Sequence, residues 1–78
     1  MFNAIIETVP AKHLKTAGAY LLADRAYHQL VNSGADETPK GERVFNRALE
    51  LWAELPKTVQ RNISRAYFKA YGYPACGA

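Results

Sequence analysis

One cysteine, one tryptophan, no long apolar run and no acidic residue after Glu54 set the first limits on this 78-residue chain. A single thiol, Cys76, closes no internal disulfide, so a cross-linked secreted scaffold is excluded and a reducing, cytoplasmic compartment is the expectation. Met1 to Pro10 has neither the basic start nor the long apolar stretch of a secretory signal. No run of about 18 apolar residues is present to span a bilayer. Glycine-rich phosphate loops, paired-cysteine zinc motifs and nucleophile motifs are all missing, so an enzyme is not expected and no cofactor is implied. No repeat or low-complexity tract divides the chain.

What is present is an apolar fraction of 49% with 22% charged residues and a net charge of +3, the balance of a folded rather than a disordered chain. A chain of this length forms one domain and hides only about 60% of the surface that its unfolded form exposes. The hydrophobic periodicity predicts an all-α protein, a compact bundle of three main helices plus a short N-terminal helix. Residues 1–72 are expected as a single helical domain and residues 73–78 as a flexible C-terminal tail.

Phe2, Ile5, Ile6 and Val9 fall at i, i+3, i+4 and i+7, one face of a short first helix that Pro10 interrupts. From Ala11 to Asn32, at about 100° per residue, Ala19, Leu22, Ala23, Ala26, Tyr27, Leu30 and Val31 share one arc, while Arg25, His28, Gln29 and Asn32 share the other. Leu14 and Leu21 intrude on the polar arc, and the first helix is expected to fold back over them. Gly34 marks the stop. After a loop from Ser33 to Gly41, Thr38 is the expected cap and Pro39 the first helical residue of a third helix ending near Glu54. Its apolar side carries Val44, Phe45, Ala48, Leu49, Leu51, Trp52 and Leu55, with Trp52 as the expected core anchor. Pro56 opens the fourth helix and Gly72 closes it near Tyr71. Tyr20 and Tyr27 are expected at the core edge, their hydroxyls reaching water.

Charge is uneven along the chain. Residues 1–33 carry three cations against two acids, and residues 34–54 carry three against five. Residues 55–78 carry Lys57, Arg61, Arg65 and Lys69 with no acid at all. Four cations at successive i+4 positions make a stripe rising about 6 Å per step on one helix face. Like charges at that spacing each oppose the helix by about 0.2–0.5 kcal/mol, and Lys57 stands at the positive end of the helix dipole. Local helix stability therefore does not explain the stripe. Phe68 lies on the same side, where an aromatic ring between cations suits a partner's pocket or a stacked base.

These features predict a small non-enzymatic regulatory or adaptor protein that binds a larger, acidic protein partner. Arg61, Arg65 and Phe68 form the expected centre of contact, and Lys57 and Lys69 steer encounter. The bland alternative is a solvated face whose arginines pair with Glu50 and Glu54 on the preceding helix. A nucleic acid is the alternative ligand of the same helix. The turn Glu54-Leu55-Pro56-Lys57 has the length of a helix-turn-helix corner without its usual glycine, and would bring Lys57, Thr58, Gln60, Arg61 and Ser64 nearest a groove. A self-associating subunit is the third reading. His13 and His28 stand fifteen residues apart with no histidine or cysteine at i+3 or i+4, so the spacing predicts surface histidines and no metal site, and Cys76 reads as an incidental thiol.

Overall fold

The computed structural model describes residues 2–78, with side chains from Asn3 onward. The place of Met1 and of the Phe2 side chain in the predicted first helix lies outside the described residues. Helix α1 (Phe2–Ile6) is short and ends where the Thr8 hydroxyl donates to the Ile5 carbonyl at 2.7 Å. A tighter 3-10 turn at Ala11–His13 then leads into α2 (Leu14–Asn32), so the α-helix proper begins one turn later than the sequence pattern predicts. Gly34, at φ 77°, ends α2 in a left-handed turn. The amides of Gly34 and Ala35 return to the carbonyls of Val31 and Leu30, at 3.0 and 2.8 Å, which satisfies the last turn.

Helix α3 (Pro39–Glu54) starts as predicted, with Pro39 in its first turn and the Thr38 hydroxyl accepting from the Gly41 amide at 3.2 Å. Leu55 and Pro56 form the corner to α4 (Lys57–Tyr71). The Gln60 side-chain amide donates to the Trp52 carbonyl at 2.7 Å, tying the end of α3 to the start of α4. Gly72, at φ 78°, closes α4 with its amide on the Phe68 carbonyl at 2.8 Å.

The result is an all-α bundle of three long helices and one short one, measuring 34 × 23 × 17 Å. Helices α2 and α3 form the most extensive pair, and Ala17 and Ala48, one on each, are completely buried and small enough to permit a close approach. Leu51 and Leu55 from α3, Val59, Ile63 and Tyr67 from α4, and Ile5 and Val9 from the N-terminal segment fill the remaining core. Among the described residues, no helix is long and apolar enough to cross a membrane.

The structure differs from the sequence pattern at four further places. The buried face of α2 runs through Ala17, Tyr20, Leu21 and Asp24, about 120° further round than the apolar arc predicts. Leu21 is covered, but Leu14 remains 41% exposed and Leu22 is 60% exposed. Tyr20 has no exposed surface, whereas Trp52 is only half-buried and packs its ring 4.9 Å from that of Tyr20. The tail is packed rather than loose: Ala75 and Cys76 are buried, and Gly77 lies against Leu49 and Trp52 of α3.

Gly41 is the position where a close approach demands glycine. A Cβ there would stand 2.1 Å from the backbone oxygen of Asp36. Gly18, in contrast, faces open space. Urea denaturation followed by Trp52 fluorescence therefore reads opposite signs for one substitution: Gly41→Ala lowers stability by about 2 kcal/mol through the clash, and Gly18→Ala raises it by up to about 1 kcal/mol through helix propensity.

Candidate functional site

Two constellations emerge, one on the surface and one in the core. On α4, apolar residues at i, i+4 and i+8 (Val59, Ile63, Tyr67) turn inward, which leaves Lys57, Arg61, Arg65, Phe68 and Lys69 exposed on the outside. All five sequence-predicted site residues thus share the solvent side of one helix. Phe68 is 57% exposed, too much for a core role. Among the described residues, the ion pair between permanently charged side chains is Arg47 with Glu50 at 3.7 Å. Glu50 is therefore engaged within α3, and no α4 cation is paired with Glu50 or Glu54. Beside Lys69, a shallow groove of about 540 Å³ runs between α1 and α4, lined by Ala4, Ala66 and Ala70.

The second constellation centres on Asp24, which is 2% exposed. A buried carboxylate is tolerated only when donors converge on it. The Tyr67 hydroxyl from α4 donates to Asp24 Oδ2, and the Cys76 backbone amide donates to Oδ1 at 3.0 Å. The Tyr20 hydroxyl, one turn earlier on α2, donates to the Cys76 carbonyl. Both polar groups of the Cys76 peptide are thereby fixed, and Tyr20 does not reach water as the sequence predicts. His28, one turn after Asp24, sets Nδ1 at 2.9 Å from the Asp24 carbonyl oxygen and at 3.5 Å from Oδ1.

Environment holds the protons of this cluster in place. Burial, then the hydrogen bond to Asp24 and its negative charge, push the Cys76 thiol up to about 12. Burial and the same carboxylate raise the Tyr20 and Tyr67 hydroxyls well above the usual phenol range. Cys76 is consequently a protonated, buried thiol and not an activated nucleophile. A cavity of about 530 Å³ opens on the cluster, bounded by Asp24, His28, Tyr67, Tyr71 and Tyr73. The His28 ring lies 5.0 Å from that of Tyr73, and the Tyr67 and Tyr71 rings lie 4.6 Å apart.

Sequence reasoning misses this second site. Its weak trace is an acid and a histidine at i, i+4 in the most apolar of the three long helices, with Asp24 at i+3 from Leu21. The contribution of Cys76 has no local trace at all, since it lies 52 residues further along the chain. Comparison with protein-family profiles, with curated proteins and with solved structures finds no match to this chain.

Two expectations follow from the cluster. Asp24→Ala leaves the Tyr67 hydroxyl and the Cys76 amide without their acceptor, and unfolding in urea is expected about 3 kcal/mol easier, against about 1 kcal/mol for Tyr67→Phe. Stability also depends on alkaline pH. The folded chain keeps the thiol and both phenols protonated where the unfolded chain releases those protons, so the contribution of the thiol is complete below about pH 9 and is lost as the pH rises through about 12, while that of the phenols begins to be lost only from about pH 10 upward. Urea midpoints that fall from pH 9 to pH 11, and fall less in Cys76→Ser, are the expected record.

Proposed function

We propose that this protein is a small non-enzymatic regulator or adaptor that docks on a larger, acidic protein through the outer face of α4. The observation that carries this reading is that four cations and an aromatic ring stand exposed on one helix with no acid paired to them. Such a face is unfavourable for the isolated helix, because like charges at i, i+4 repel and Lys57 opposes the dipole. An acidic partner relieves both terms. Phe68 supplies the apolar anchor that binding surfaces concentrate near their centre, with Arg61 and Arg65 around it. Lys57 and Lys69 at the ends of the stripe accelerate encounter by electrostatic steering. The groove beside Lys69 gives an apolar side chain of the partner a place to settle.

The double variant Arg61→Glu, Phe68→Ala tests the reading. Both positions are exposed, so the helical content and the unfolding transition should survive. Partner capture by the immobilised protein, compared with and without nuclease, is expected to drop at least tenfold in the variant and to ignore the nuclease. Unchanged capture by the folded variant overturns the proposal. Capture abolished by nuclease, with log K falling against log salt at a slope of about −3 to −4 for four phosphate contacts, assigns the face to nucleic acid instead. Concentration-dependent sedimentation above 8.7 kDa, lost in the variant, assigns it to self-association.

A further inference from the structure

We propose that Asp24, His28 and Cys76 form a binding site for a divalent metal ion of the zinc class, at the junction of α2, α4 and the C-terminal segment. A ring nitrogen of His28, the Cys76 Sγ and a carboxylate oxygen of Asp24 lie within 4.8 Å of one another. Asp24 and His28 face the same way because they stand one helical turn apart on α2. Cys76 is delivered to them by its own backbone, held on one side by the Tyr20 hydroxyl and on the other by the Asp24 carboxylate. The thiol is thus brought beside the other two donors by contacts that need no metal.

The donor types select the ion. One thiolate, one imidazole and one carboxylate suit a borderline-soft cation such as Zn²⁺, while calcium and magnesium call for six or more oxygens that this site lacks. Tetrahedral zinc, with bonds of about 2.0–2.3 Å, sets its ligand atoms about 3.5 Å apart. Closing from at most 4.8 Å is a movement of about 1 Å between donors. The Tyr67 hydroxyl on Asp24 Oδ2 orients the carboxylate from outside the ligand set, the role such hydrogen bonds play around metal ligands. Three protein ligands leave a fourth position, and the cavity bordered by Asp24, His28, Tyr67, Tyr71 and Tyr73 places water or a small exogenous ligand there. On binding, the Cys76 thiol loses its proton to solvent, so the dication meets two negative ligands and one neutral one. This site is independent of the outer face of α4 and stands or falls apart from the docking reading.

Cobalt(II) titrated into the reduced, metal-free protein provides the test. The expected result is one equivalent bound, with a near-ultraviolet thiolate-to-cobalt charge-transfer band, the visible absorption of four-coordinate cobalt, and displacement of both by one equivalent of zinc. Cys76→Ser keeps the backbone amide and carbonyl that dock the tail, and it should abolish the charge-transfer band while retaining the fold. His28→Ala, at a half-buried position, should weaken cobalt binding at least tenfold with its thermal transition intact. Zinc should also raise the melting temperature of the wild type and not that of Cys76→Ser. Absence of a charge-transfer band in the folded wild-type protein at millimolar cobalt overturns the proposal. A band that persists unweakened in His28→Ala overturns it equally, because cobalt is then held by the thiol alone.

Discussion

The buried carboxylate of Asp24 is the constraint around which this small bundle is organised. Apolar side chains bury area without regard to direction, so a core of leucine, isoleucine and valine leaves neighbouring helices free to slide and rotate with little loss. A carboxylate withdrawn from water is different, because each oxygen requires a donor at a defined distance and angle. Tyr67 must stand opposite one oxygen and the Cys76 amide opposite the other. Those two requirements set the rotation of α4 about its axis and bring residues 75 and 76 into the core. The same rotation that presents Tyr67 inward turns Arg61, Arg65 and Phe68 outward, so the polar hub and the cationic face are two sides of one decision.

Helix α4 depends on its neighbours more than α3 does. Its cap residue is Pro56, which offers no side-chain acceptor, and its first turn contains no acid. Helix α3 has Thr38 as a working cap and Glu42 in its first turn. A 15-residue helix without such aids is marginal by itself in water. Tertiary contact through Val59, Ile63 and Tyr67, together with the Gln60 amide on the Trp52 carbonyl, supplies what the local sequence withholds.

Much of this architecture is legible in the sequence because its signals are local. Thr38 and Pro39 start α3 and Gly34 and Gly72 stop α2 and α4, each through hydrogen bonds that close within a few residues. The exposed side of α4 follows from a period of four in its cations. The rotation of α2 is not legible, because binary patterning assigns His28 to water and Leu22 to the core, while the partners that reverse the assignment are far along the chain. The tail misleads for the same reason. Pro74, Gly72 and Gly77 suggest a frayed end, but the Cys76 peptide is held by Tyr20 and Asp24, whose reach no local pattern records. Tyr20 illustrates the limit: tyrosine periodicity places the ring, and only the tertiary structure shows where the hydroxyl ends.

The docking of Cys76 on Asp24 also has a consequence for the order of events during synthesis. Proteins emerge from the ribosome in sequence, and a donor that lies 52 residues downstream of its acceptor arrives late. When α2 and α3 have left the ribosome they can form their hairpin through Ala17 and Ala48, but the Asp24 carboxylate then has neither Tyr67 nor the Cys76 amide and must stay hydrated. The core on that side therefore closes only once residue 76 is free to fold back on α2, so that the most distant of the partners of Asp24 completes it.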